Sequence, residues 1–131
     1  MAVASSSAGR TAAVLTNGEV FGSDCDLQAS LDGKVCVDLS FTIGNLTSVT
    51  LAAYAGPAAT PTDALYINGV RQTMSLTASA EGCFVFECPG ARYFRVSLTG
   101  VGDFTNSTAA FTYRYLDYET TSKQDGEVRV G

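Results

Sequence analysis

The sequence predicts an all-β fold: a single antiparallel β-sandwich or jelly-roll-like domain with an extended N-terminal arm. Three observations carry this. Apolar residues alternate with polar ones along several short segments, as in KVCVDLSFT (34–42), where Val35, Val37, Leu39 and Phe41 share one face. A period of two puts one set of side chains in the core and the other outside. Turn dipeptides separate these segments at Asn17-Gly18, Asp32-Gly33, Asn68-Gly69 and Pro89-Gly90. No stretch shows helical periodicity, and roughly seven to nine short strands in this arrangement build a sandwich.

The elements follow in chain order. Residues 1–22 read as an arm carrying a short hairpin, AAVLT (12–16) and EVF (19–21), closed by Asn17-Gly18. Residues 23–120 form the sandwich, beginning with the turn-rich GSDCDLQASLDG (22–33). After KVCVDLSFT comes TSVTLAAY (47–54), with Val49 and Leu51 facing inward. The loop GPAATPTDA (56–64) holds two of the three prolines. A hairpin about Asn68-Gly69 returns through VRQTMSLTA (70–78).

The run GCFVFECPGARYFRVSLTG (82–100) reads as a core-building hairpin turned at Pro89-Gly90. Its alternation buries Phe94, Val96 and Leu98 and points Tyr93, Arg95 and Ser97 outward. AAFTYRYLDY (109–118) follows, with Phe111, Tyr113 and Tyr115 on the inner face, and residues 121–131 form a polar tail.

Composition bounds the function. The chain has 131 residues, enough for one domain burying roughly two thirds of its unfolded surface. Charged residues make up 16% and the net charge is −5. Nucleic acid and anionic membranes are not the expected partners, because binding them relies on basic residues. The N-terminus lacks the basic region and continuous apolar core of a signal peptide, so synthesis in a host cytoplasm is expected. The four cysteines then read as reduced core residues. Cys83 and Cys88, on one strand and on opposite faces, lie roughly 16 Å apart and cannot bridge. Cys25 and Cys36 meet only if their segments pair.

No constellation for catalysis stands out. Histidine and tryptophan are absent, which removes His-based triads and His-based metal sites. Asp24 and Asp26, with Asp32 nearby, lack EF-hand spacing and fall short of the about six to eight oxygens calcium takes. They read as turn carboxylates. Asp117 and Glu119 read as a polar strand end. The chain is therefore expected to be no enzyme, with no cofactor and no metal. Tyr54 and Tyr93 lie on the outward parity of their strands and are the tyrosines expected at an interface.

Three blocks carry a resemblance: VCVDLSFTIGNLTSVTLAAYAG, ALYINGVRQTMSLT, and GCFVFECPGARYFRVSLTG with the following AAFTYRY. Together they resemble β-sandwich virion proteins of tailed bacteriophages, most tellingly at Pro89, Gly90, Arg92, Tyr93, Phe94, Arg95 and Val96. The Trp often found after the second strand of that family is replaced here by a Pro/Ala/Thr loop. The resemblance implies a capsid-decorating (cement) protein on the head surface. It would bind the major capsid protein or another virion protein, as a homo-oligomer with a trimer favoured. Val3, Arg10, Val14 and Leu15 of the arm, with Tyr54, Tyr93 and Arg95, would form the interface. A carbohydrate-binding adhesion module and a tail or head–tail adaptor component are the alternatives.

Overall fold

The computed structural model describes residues 2–28, 30 and 33–118. Its strands are β1 (Ala2–Ala13), β2 (Glu19–Phe21), β3 (Cys25–Asp26), β4 (Lys34–Thr42), β5 (Leu46–Gly56), β6 (Tyr66–Ile67), β7 (Val70–Arg71), β8 (Thr73–Leu76), β9 (Ala80–Glu87), β10 (Tyr93–Gly102) and β11 (Thr108–Tyr118). One sheet, here sheet A, has the order β1-β11-β4-β9. The other, sheet B, has the order β2-β10-β5-β8, with β3 also paired to β10. Every pairing between these strands is antiparallel.

The two strand orders match position by position. β1 and β2, β11 and β10, β4 and β5, and β9 and β8 occupy equivalent places, and each of these pairs is consecutive in the chain. The polypeptide therefore switches sheet at each of these connections, which is the winding of a jelly roll. Such winding makes the inner faces of both sheets bury each other. Val35, Val37, Leu39 and Phe41 of β4 meet Val49 and Leu51 of β5 and Phe94, Val96 and Leu98 of β10, all buried. Phe94 bridges the layers, its ring 5.7 Å from Phe86 and 5.7 Å edge-on to Tyr113.

Several expectations are corrected. The N-terminal segment is no free arm: residues 2–13 form the edge strand of sheet A, paired with β11. Two glycines explain the attachment. A Cβ on Gly9 would lie 2.3 Å from the Phe111 ring, and one on Gly22 would lie 2.4 Å from it. The ring thus sits between two backbones that only glycine lets approach so closely. Asn17-Gly18 does not close a hairpin, because the strands on either side of it join different sheets. Likewise Pro89-Gly90 links β9 of sheet A to β10 of sheet B, so the 82–100 run is a crossover between sheets. Asn68-Gly69 does turn a hairpin between β6 and β7, with both residues at positive φ (52° and 78°) as a type I′ turn requires. Asp32, Glu119 and the tail 121–131 lie outside the described residues.

Candidate interaction surface

The outward face of sheet B is covered by the chain itself over β5 and β10, where Ala52, Tyr54, Arg95 and Ser97 are buried. The segment between β5 and β8 hydrogen-bonds along the β5 edge, with Ala55 N–H donating to Asp63 and Leu65 N–H to Ala53. Its Thr60–Pro61 turn folds over the sheet, where Thr60 N–H donates to Asp24 and the Pro61 carbonyl accepts from Arg95 Nε at 2.8 Å. Arg95 (8% exposed) and Ser97 (0%) are therefore buried on the face expected to meet solvent.

A polar cluster lies beside this cover, with Glu19 and Arg71 exposed at its rim. Tyr54 Oη and Ser97 Oγ each donate to Glu19 Oε2 at 2.5 Å, and Arg71 Nη2 donates to Tyr54 Oη at 2.8 Å. The Arg95 guanidinium lies 3.9 Å over the Phe21 ring, which packs 5.3 Å from Tyr54. Desolvation pulls the Glu19 carboxyl upward, but the Ser97 and Tyr54 hydrogen bonds and the Arg71 and Arg95 charges outweigh it. The result is a carboxyl held below its ordinary value.

Among the described residues nothing covers the outward face of sheet A, the bare face below. Ser40, Cys83, Val85, Thr112, Arg114 and Leu116 are exposed on it. Among the described residues β1 pairs on one side only, with β11. From Ala2 to Ala8 its register is unbroken, and this stretch contains neither a charge nor a proline. Natural edge strands normally carry such features to prevent pairing with another chain.

The expected interface residues do not form one surface. Arg10 is a clamp: its Nε donates to the Ala109 carbonyl at 3.1 Å and its Nη2 to those of Ala13 and Val14. Leu15 is buried in the core, and Tyr54 is buried in the Glu19 cluster. Tyr93 is half-buried, with the Arg92 guanidinium 5.0 Å over its ring. Val14 is 51% exposed and remains available. Val3 lies on β1 opposite Asp117, and the side chains of both fall outside the described ones. Of the turn carboxylates, Asp24 binds Thr60, and Asp26 accepts from Arg92 Nε at 2.9 Å.

The cysteines are also corrected. Cys36 of β4 and Cys83 of β9 form a disulfide across the bare face of sheet A. Cys25 and Cys88 are the buried free thiols, pushed up by burial to about 12 and about 11. Cys36, Asp38 and Cys83 place two sulfurs and a carboxylate oxygen within 4.8 Å of one another. The sulfurs are bonded to each other and Asp38 is gripped by Arg114, so the group is committed without an ion. Parity signals the pair in the sequence: Cys36 lies between inward Val35 and Val37, and Cys83 two places from outward Val85.

A cleft of about 570 Å³ opens where β5 and β9 end, bordered by Pro57, Leu65, Tyr66, Glu87 and Pro89. Tyr66 stands 60% exposed at this cleft.

No protein-family model matches the chain, and no curated protein matches it. Among solved structures, the crystal structure of the SPBc2 prophage-derived protein YomS is similar, with a TM-score of 0.58 and 13% sequence identity. The likeness covers 89% of this chain and 96% of that one. At that identity it shows a shared fold.

Proposed function

We propose that this protein is a structural component of a phage particle, a decoration (cement) protein that docks on the head and holds neighbouring capsid subunits together. The observation that carries the reading is the open, uncharged edge of β1 beside the bare face of sheet A. An extended segment of a capsid subunit would pair with that edge by strand addition. Repetition over a shell, with a trimer favoured, would add many weak contacts into firm attachment. The jelly-roll winding and the fold shared with a prophage-derived protein support the setting.

The test mixes purified protein with undecorated heads and measures sedimentation with the shell and the temperature of heat rupture. Binding and a raised rupture temperature are expected. Deleting residues 2–8, which leaves the Gly9–Phe111 contact in place, should abolish both. Equal binding by that deletion would remove β1 from the mechanism.

Exposed Tyr66 beside the cleft supports a second reading, a carbohydrate-binding module. A glycan array in which hits disappear with Tyr66→Ala would favour it over decoration.

A further inference from the structure

The bare face of sheet A holds a second arrangement, away from the β1 edge. In the β11–β4 register Arg114 stands opposite Cys36, and in the β4–β9 register Asp38 stands opposite Cys83. The Cys36 and Cys83 Cα atoms are 5.8 Å apart, within the range a disulfide spans unaided. Arg114 grips Asp38 through Nε at 2.6 Å and Nη2 at 3.0 Å. The same Nη2 points at both sulfurs, 3.5 Å from Cys36 Sγ and 3.8 Å from Cys83 Sγ. Cys83 is exposed and Cys36 half-buried, whereas Cys25 and Cys88 are sealed in the core.

We infer that Cys36 and Cys83 form a reversible thiol–disulfide exchange site for low-molecular-weight disulfides, served by Arg114, which closes as a staple between β9 and β4. A guanidinium beside a sulfur favours thiolate over thiol, and the thiolate is the attacking species. Asp38 holds the guanidinium in position and tempers its charge. Glu81, exposed on β9 and engaged by Ser40 Oγ, is the other acid on this face near Cys83.

Chemically, the Cys83 thiolate attacks one sulfur of glutathione disulfide. That breaks the small disulfide and releases one glutathione thiolate, which takes a proton from water. Cys36, once deprotonated, attacks Cys83 Sγ in the mixed disulfide and expels the second glutathione thiolate. The dithiol loses two electrons and the small disulfide gains them. β9 has reason to need the staple: it is an edge strand whose Glu81, Gly82, Cys83 and Val85 are all exposed.

The test equilibrates the reduced full-length protein in glutathione redox buffers, alkylates it, and locates the labelled cysteines by mass spectrometry. Cys36 and Cys83 should lose reactivity together as the buffer becomes oxidising, with native Cys25 and Cys88 alkylating at least about tenfold more slowly. Cys36→Ser should accumulate a glutathione adduct on Cys83. Arg114→Gln should slow oxidation at pH 7 about fivefold and move the pH profile of the rate upward, and Arg114→Lys should restore most of it. The inference is overturned if both cysteines stay labelled in the most oxidising buffer, if the adduct fails to form, or if Arg114→Gln leaves the pH profile in place.

Discussion

The outward faces of the two sheets start from similar material and end differently. β10 presents Arg95 and Ser97 outward, and β11 presents Arg114 and Thr112. The first pair is buried and the second exposed. What separates them is a connection. The link from β5 to β8 is long enough to fold back over sheet B and place the Pro61 carbonyl on Arg95. Nothing among the described residues does the same for sheet A. The described residues leave that face of sheet A uncovered, and the docking proposed above rests on this difference between the sheets.

The largest expected effect tests how far the bare face depends on its staple. The disulfide closes a loop with a sequence separation of 47. Chain entropy alone then assigns it roughly 4 kcal/mol against unfolding. Reduction with a small thiol should lower the urea midpoint accordingly, and Cys36→Ala/Cys83→Ala should match the reduced protein. A shift under about 1 kcal/mol would mean that β9 is held by backbone pairing and core contacts alone.

Gly9→Val comes next. Its Cβ would collide with the Phe111 ring, and the backbone of β1 or the aromatic core must give way, at about 3 kcal/mol. Thermal melts measure this, and hydrogen exchange on residues 2–8 should show β1 opening ahead of β11. If β1 stays protected, the attachment of the edge strand lies elsewhere than the Gly9–Phe111–Gly22 sandwich.

These cases also show which parts of the fold the sequence makes legible. Alternation marks the inner faces of β4, β5, β10 and β11 correctly, because period-two burial is local information. It fails at Arg95 and Ser97, since the cover over them comes from residues more than thirty positions earlier in the chain. It fails at the N-terminus for a similar reason. AVASSSAGRTAA has no large apolar side chain to advertise a strand, and its partner is the last strand described. Turn dipeptides name a bend but not the sheet that receives the chain, so Asn17-Gly18 and Pro89-Gly90 read as hairpins. The outward parity of Cys36 and Cys83 was present in the pattern; only the β4–β9 register brings them together.

On the covered face, Arg95→Ala should cost about 2 kcal/mol, because it leaves the Pro61 carbonyl without its donor and strips the cation from Phe21. Acid should act there as well. The Glu19 carboxyl sits below its unfolded value, so its contribution is fully present above that unfolded value. It is lost as pH falls through the lower, folded one. Asp38 on the bare face is lowered in the same sense, chiefly by its hydrogen bond from Arg114. Glu19→Gln should flatten the acid limb of stability against pH more than Asp38→Asn does, since Glu19 accepts from both Ser97 and Tyr54 with the Arg71 and Arg95 charges nearby, whereas Asp38 answers Arg114 alone. Equal flattening would mean that the four partners of Glu19 hold its carboxylate no better than Arg114 holds Asp38.

The smallest effect on stability should come from Thr112→Lys. Thr112 is exposed in the middle of the bare face, opposite Asp38 on β4 and Ala8 on β1. Surface changes of this kind stay within about 0.5 kcal/mol, so the melting curve should overlay that of the parent. Binding to heads should respond far more strongly. A lysine there puts a long, hydrated cation beside the β1 edge, and stripping its water opposes docking. A variant that melts like the parent yet no longer sediments with heads would tie the bare face to function with the fold unchanged. A variant that still sediments would move the docking surface off sheet A, towards the cleft beside Tyr66.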